Sequence, residues 1–573
     1  MQKRWEIAEE ISKDLKQKAK ALTTEIHCPL LIAELLVQKQ IDNSSKVDVF
    51  FKPKLDQLLD PYLFKQMSVS VDRIISAINS GEKITIYGDY DVDGTTSTAL
   101  LFLGLKKINA VVDYFIPHRM VDGYGLSTNG LEQLKEKGTK LIISVDCGIN
   151  AIDEINIINQ MGMEIIITDH HNAKSILPEA YATINPKLED SGYPNKDLAG
   201  VGVAYKLLMA IYKKLGLDTV ENQMKYLDLV AVGTIADIVP LTGENRVFAS
   251  LGMDKLKDQK NIGLRALMEI AGIAQKDIDT SDIVFGIAPR INAAGRMGSA
   301  MRAVELLIAT DEPKSHELAE IIERENSLRQ QIDQKTYQEA NEIIEKKYKD
   351  IKNTYCMILS SDDWHPGVIG IVSSKLVERY YRPTIMISYH EGIGSGSGRS
   401  ISEVDLFEAL SSMDDVLESF GGHKYAVGLT ILPEYIDTFE NKLTRYIKER
   451  IRPEMMKPAL KIDKKIELYE ITNKLMEWLN HFSPFGPENM PPVFYTKDVM
   501  IVGYPYTVGR NHLKLKVTKD GCVLDLIGFN LGDFLPVLKK NAYIDICFTL
   551  DMNFWQDKVT FQGNLKDIII KQA

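Results

Sequence analysis

Three short β-branched runs that each end in acidic or histidine residues constrain this chain more than any other feature. They are KITIYG (Lys83 to Gly88), LIISV (Leu141 to Val145) and EIIIT (Glu164 to Thr168). Helix-length segments separate them. Strands alternating with helices imply a parallel sheet, which gathers its functional residues at the carboxyl ends of its strands. After the first run comes DYDVDG, with Asp89, Asp91 and Asp93 at period two, so an extended backbone projects all three carboxylates the same way. Asp146 follows the second run; Asp169, His170 and His171 follow the third. Another acidic end, Asp237, comes after a small, apolar, helix-like stretch in AVGTIADIVPL (Ala231 to Leu241). Anions this close repel one another unless a cation sits among them. Asp91, Asp93, Asp146, His170 and Asp237 are therefore expected to converge on one rim around divalent metal. Oxygen donors with a single imidazole favour Mg²⁺ or Mn²⁺ over zinc, and five or more ligands suggest two ions.

The same DxDxDG spelling opens an EF-hand loop. That loop needs a Glu at its twelfth position, and the twelfth residue from Asp89 is Leu100. The run before it reads as a strand, not as an entering helix. Singly, each acid has a structural reading, since an Asp at a strand end is most often a helix N-cap. Cys147, beside Asp146, reads as a small buried residue rather than a nucleophile. The argument rests on three successive strands ending the same way.

The DHH triplet at Asp169, His170 and His171, with GDYDVDG before it, resembles the DHH phosphoesterase superfamily. Supporting blocks run along nearly the whole chain: LDPYLFKQM (Leu59 to Met67), PHRMVDGYGL (Pro117 to Leu126), INPK (Ile184 to Lys187), LAGVGVAYKL (Leu198 to Leu207), APRINAAGRM (Ala288 to Met297), WHPGVIGIVSSKL (Trp364 to Leu376), GSGSGRS (Gly394 to Ser400), GGHKYAVG (Gly421 to Gly428) and PFGPENMPPVF (Pro484 to Phe494). Together they resemble the superfamily's branch of bacterial single-strand-specific exonucleases. One departure is Tyr87, where many members carry a ligating His; Asp89 is the candidate to replace it.

With 573 residues the chain should divide into several domains. Residues 1–68 read as short helices. Residues 69–311 form the alternating strand–helix unit with the metal ligands. The Gly-free, charged and periodic stretch 312–350 reads as a long connecting helix. Residues 351–455 form a second, smaller α/β unit, and 456–573 a run of short strands. The fold class expected is α/β: a DHH lobe with a parallel sheet, a long helix, a smaller DHHA1-type lobe, and a C-terminal β-barrel that the resemblance implies is an OB-fold. Five scattered cysteines without CxxC spacing argue for a reducing compartment. The N-terminus lacks an apolar signal region and no run reaches membrane-spanning length, so a cytoplasmic, membrane-free protein is expected. Net charge is −11, a weak argument against nucleic acid, yet Lys442 to Lys465 holds nine Lys or Arg against three Asp or Glu. That stretch is either a solvated helix face with a linker or a local anion-binding surface.

In the second α/β unit, GSGSGRS reads as a glycine loop whose backbone N–H groups can approach an anion closely. The resemblance implies that Arg119, Arg296, Ser397 and Arg399, with Gly396, grip a terminal phosphate. His423 either contacts the nucleic-acid backbone or orders the Gly-Gly turn. The implied chemistry is two-metal hydrolysis, with Asp146 bridging the ions and Asp89, Asp146 and His171 catalytic; His170 is a ligand, and His171 contacts the scissile phosphate or orients a ligand. The implied function is degradation of single-stranded DNA 5′→3′ to mononucleotides in repair and recombination, with a helicase and a single-strand-binding protein as partners and a monomeric enzyme. The alternative is a phosphodiesterase for short oligonucleotides or cyclic dinucleotides. Tyr504, Tyr506, Phe529 and Trp555 are the aromatic candidates for stacking bases in the barrel.

Overall fold

The computed structural model describes residues 3–571 except 120, 121, 124, 391, 510, 556 and 557. The chain divides into two compact units: residues 43–328 with 481–490, and residues 1–42, 329–480 and 491–573.

In the first unit the chain forms β1 (Ile84–Gly88), α1 (Val92–Lys107), β2 (Val112–Phe115), β3 (Leu141–Val145), β4 (Glu164–Thr168) and β5 (Ala182–Ile184). The strands make one parallel sheet in the order β2-β1-β3-β4-β5. Both of its faces are covered, which is why the strands read as continuous apolar runs. Ile84, Ile86, Leu141 and Ile143 enter one apolar cluster, and Tyr87, Ile142, Ile165 and Ile167 the cluster on the opposite face. Gly88 pairs with Val145, and Val145 with Thr168. The three central strands therefore end level, and Asp89, Asp146 and Asp169 emerge side by side. Then come α2 (Gly200–Lys214), α3 (Leu227–Ala236), α4 (Gly243–Lys257) and α5 (Ala288–Met297). Helices α2 and α3 both pack on α1. The long helix α6 (Glu312–Lys347) is present as the charge pattern predicts, 36 residues in length.

The second unit holds a mixed sheet and a barrel. β6 (Met357–Ser361) is joined by α7 (Pro366–Tyr380) to the parallel strand β7 (Thr384–His390); β8 (Ile393–Arg399), β9 (Ser419–His423) and β10 (Ala426–Ile431) continue in the order β9-β10-β8-β7-β6. GSGSGRS is thus not a loop. It forms the central strand β8, paired on both sides, so its backbone N–H groups belong to the ladders and not to a ligand. Its glycines answer a packing need instead: a Cβ on Gly396 would meet Leu429 at 2.7 Å, and one on Gly398 would meet Val427 at 2.6 Å.

The barrel comprises β11 (Phe494–Val508), β12 (His512–Lys519), β13 (Cys522–Gly528), β14 (Tyr543–Trp555) and β15 (Lys558–Ile570). They run β11-β12-β13-β15-β14 and close through β14 on β11. Within the basic stretch preceding it, Lys442 pairs with Asp415, Arg445 with Glu449 at 2.9 Å, and Lys464 with Glu34 at 2.7 Å.

Candidate metal centre

The rim of the parallel sheet is built by local rules that also fix its charges. Asp91 caps α1, accepting from Gly94 N at 3.1 Å. That turn needs glycine at position 94, because a Cβ there would lie 2.5 Å from the Asp89 carbonyl oxygen. Asp93, one residue into α1, is buried and accepts from Gly200 N at 2.6 Å and Val201 N at 2.7 Å, the first amides of α2. Their positive helix end favours the carboxylate. Gly200 also lets α2 approach Asp146, whose Oδ1 would lie 2.8 Å from an added Cβ. Asp146 takes a left-handed backbone, φ 60°, as it leaves β3.

The DHH triplet is organised by its first member. Asp169 is buried and accepts N–H groups from Ile149 (3.0 Å), His170 (2.7 Å) and His171 (3.0 Å). Its Oδ1 also lies 2.8 Å from His171 Nδ1. The sequence pointed to the triplet but gave Asp169 no role; the acceptor count supplies one. His170 reaches inward, with Nε2 3.1 Å from Asp146 Oδ1, 3.6 Å from Asp237 Oδ2 and 3.8 Å from Asp93 Oδ2. Asn185, from the INPK block, donates to the His171 carbonyl at 2.9 Å.

Three groups of side chains bring their donor atoms within metal-binding reach of one another: Asp89, Asp91 and Asp146; Asp93, His170 and Asp237; and Asp146, His170 and His171. All six residues expected as ligands are among them, and Asp146 is shared. Tyr87 is not; its side chain lies in the core on Phe115, with its hydroxyl accepting from Ser127 N at 3.2 Å. Among the described residues, buried Asp89 Oδ1 accepts no hydrogen bond, and Asp146 Oδ1 and His170 Nε2, 3.1 Å apart, have only each other within hydrogen-bonding distance. Buried polar atoms are ordinarily satisfied, and a divalent cation among these oxygens and one imidazole would satisfy them.

The electrostatics agree. Burial, then repulsion from neighbouring carboxylates, holds Asp89 and Asp146 well above the usual range, Asp93 up to about 7 and Asp237 up to about 9. Burial, then His171, holds His170 down to about 3, a neutral ring with a free lone pair. For His171 burial works downward, but Asp169 and the other carboxylates outweigh it and raise the ring to about 9, a cation at neutral pH. The Cys147 thiol is pushed up by burial, which removes it as a nucleophile. Just beyond Asp237, Ile238 is left-handed at φ 61° and exposed. A β-branched residue there is strained, at a cost on the order of 1–3 kcal/mol.

The other expected residues divide between the units. Arg119 lies over the Tyr90 ring at 5.1 Å, and both Arg119 and Arg296 act on the Tyr90 hydroxyl, so these cations flank the acidic rim. Arg296 sits in the last turn of α5. In the second unit, Ser397 and Arg399 lie on β8 with Arg399 donating to Ser397 Oγ at 3.2 Å. They face the start of α7, where a Cβ on Gly370 would lie 2.8 Å from Ser397 Oγ and 3.1 Å from Arg399 Nη2. Gly396 is buried among the strands, and His423 closes the β9–β10 hairpin opposite Ala426. On the barrel, Tyr504, Tyr506 and Phe529 are exposed, with Lys540 over the Tyr504 ring at 5.3 Å and Lys514 paired in register with Tyr506. The Trp555 side chain lies outside the described residues.

Comparison with known proteins yields successive matches. The DHH family, N-terminal domain, matches residues 83–234, the DHHA1 domain 351–449, and the RecJ OB domain 462–567. The single-stranded-DNA-specific exonuclease RecJ of Bacillus subtilis (strain 168) is 36% identical over 573 residues, covering 99% of this chain and 71% of that protein. The protein of the same name from Haemophilus influenzae is 33% identical over 550 residues, covering 93% of this chain and 94% of that one. Among solved structures, RecJ in complex with Mn²⁺ from Thermus thermophilus aligns with a TM-score of 0.84 at 26% identity, covering 100% of this chain and 80% of that chain.

Proposed function

The chain belongs to the RecJ family, and from that membership we propose that it is a metal-dependent exonuclease degrading single-stranded DNA 5′→3′ to mononucleotides. The observation that carries the reading is the convergence of buried donor atoms of Asp89, Asp146 and His170 at one rim. Asp91, Asp93 and Asp237 would complete the donor set for two Mn²⁺ or Mg²⁺ ions, and Asp146 belongs to two of the three groups of side chains that could hold them. When bound, such ions lower the pKa of water and offset charge on the scissile phosphate.

The chain's own groups do the rest. His171, its Nδ1 held by Asp169, directs an N–H toward a phosphoryl oxygen, where charge grows in the transition state. Arg119 and Arg296 beside the rim, and Ser397 and Arg399 on β8, serve as phosphate ligands; Arg suits that task because its fork binds two oxygens at once. The amides of Gly396 do not take part, because they are engaged in the sheet. A pocket that grips a terminal 5′-phosphate is refilled after each turnover only if the cut leaves a phosphate on the shortened strand. The P–O3′ bond is therefore the one that breaks, with water supplying the hydroxyl to phosphorus and a proton to the departing O3′. Tyr504, Tyr506 and Phe529 stack bases further along the strand.

The corresponding domains are 69–311 for catalysis, 351–455 for the terminal phosphate and 456–573 for the strand. A helicase and a single-strand-binding protein fit as partners, because the substrate must first be unwound and kept open. Among the described residues no helix is long and apolar enough to cross a membrane, and a monomer in the cytoplasm suits this work in repair and recombination.

The test is a long single strand with a 5′-phosphate, labelled at either end, incubated with Mn²⁺ or EDTA, with Asp146→Ala alongside. Mononucleotides released first from the 5′ end, and lost with EDTA and with the variant, are the expected result. Cleavage confined to dinucleotides and short oligomers would overturn it in favour of small-nucleotide turnover.

A further inference from the structure

Three consecutive buried polar side chains, Glu244, Asn245 and Arg246, open α4, seven residues and more after Asp237. Each grips a different part of the first unit. Glu244 pairs with Lys206 at 2.5 Å, and Arg246 donates to backbone carbonyls in the 481–484 stretch. Asn245 does something more specific. Its Nδ2 donates to the Asp197 carbonyl at 2.6 Å and to the Pro240 carbonyl at 3.0 Å. Asp197 lies three residues before Gly200, whose N–H holds Asp93; Pro240 lies three residues after Asp237. A single fully buried amide thus joins the segment leading into α2, whose first amides hold Asp93, to the turn that follows Asp237, and Asp93 and Asp237 belong to the same donor group.

The bridge matters because the Asp237 turn is not at rest. Ile238, the next residue, is held at φ 61°, which a β-branched side chain disfavours. A strained turn persists only where its surroundings over-determine it. Asp237 N and Ile238 N donate back to the Gly233 and Ile235 carbonyls of α3 at 2.9 and 3.3 Å, and on the far side the turn is tied down by the Asn245 bond to Pro240 and by the Leu241 N–H donating to the Pro487 carbonyl at 2.9 Å.

We propose that Asn245 is a positioning residue for the metal centre, clamping the strained Asp237–Ile238 turn at a fixed distance from the α2 amides that hold Asp93. The proposal rests on the metal-binding reading above. It makes Mn²⁺ affinity, rather than folding, the property that Asn245 controls. Side chains that orient metal ligands are typically worth about 10- to 100-fold in affinity.

Direct Mn²⁺ titration of the full-length protein, read by the electron paramagnetic resonance of free Mn²⁺, tests this alongside thermal melting in EDTA. Asn245→Ala should bind Mn²⁺ about tenfold or more weakly. Asn245→Ser, whose hydroxyl can still donate to one carbonyl, should fall between it and the parent and covers the case in which the alanine variant fails to fold. Adding Ile238→Gly, which removes the strain the clamp opposes, should recover at least half of the lost affinity on a logarithmic scale. Variants that melt earlier but bind Mn²⁺ as the parent does would overturn the proposal, as would a double variant no better than Asn245→Ala. A parent protein that binds no Mn²⁺ would instead overturn the metal reading beneath it.

Discussion

Burial of single charged groups sets what this molecule can do at a given pH, and not every such group belongs to the metal centre. Asp228, in the first turn of α3, is buried, and burial lifts its carboxyl to about 6. Its Oδ1 accepts from Leu229 N at 2.8 Å, which an amide oxygen could also do. The unfolded chain gives up this proton near pH 4. Below that, both states are protonated and the residue is neutral in effect. Between about pH 4 and 6 the unfolded state ionises first and the folded state loses stability; above 6 the loss is complete. Asp228→Asn should therefore match the parent near pH 4 and exceed it at pH 7–8 by about 1–3 kcal/mol. Urea midpoints of the metal-free protein at the two pH values check this, and equal stability at pH 8 would show that the site is wetter than its burial implies.

At the scale of elements, the site depends on how closely a helix end can come to a strand end. The α2 amides reach Asp93 because Gly200 carries no Cβ, which would lie 2.8–3.0 Å from three atoms of Asp146. Gly200→Ala must push α2 back or displace Asp146. Alanine suits a helix otherwise, so the melting temperature should move by only a few degrees while activity at saturating Mn²⁺ falls at least 100-fold. Activity within threefold of the parent would mean that α2 can shift without disturbing Asp93.

The same contrast between near and distant contacts explains what could be read from sequence. Strands β1, β3 and β4 were legible because burial on both faces writes itself as an uninterrupted apolar run, and their level ends follow from parallel register. The clustering of Asp89, Asp91, Asp93, Asp146, His170 and Asp237 was legible for that reason. GSGSGRS was not, because glycine in a strand and glycine in a loop are spelled alike; only the nearness of Leu429 and Val427 shows that these glycines make room for neighbours. The last barrel strand, β15, was not legible, because its buried positions include Gly563 and Asp567 rather than an apolar series. Asn245 left no trace at all, since a bond to two loop carbonyls has no sequence pattern.

For the whole molecule, the order of the chain is not the order of the compact units. Residues 481–490 sit between α-helical and barrel segments of the second unit yet pack in the first. Arg246 holds them: its guanidinium donates to the carbonyls of Phe482 (3.0 Å), Ser483 (2.8 Å) and Pro484 (3.2 Å), and to that of Phe50 (2.8 Å), and lies 4.0 Å from the Phe50 ring centroid. Its partners are carbonyls and a ring rather than a carboxylate, and burial draws the arginine down to about 10. Deleting the chain from residue 456 onward would remove most of these acceptors together with the 481–490 segment that packs in the first unit, so that unit would lose both hydrogen bonds and cover at Arg246. Loss of activity on deleting the tail would therefore report damage to the catalytic unit as much as loss of a DNA grip. Point substitutions separate the two. Tyr504→Ala, Tyr506→Ala and Phe529→Ala change exposed rings only. Combined, they should leave melting unchanged and the cleavage rate on short oligonucleotides intact. With stacking worth about 1–3 kcal/mol per base, they should raise KM for long single strands at least tenfold. An unchanged KM on long strands would show that these rings hold no bases and that the strand follows another face of the barrel.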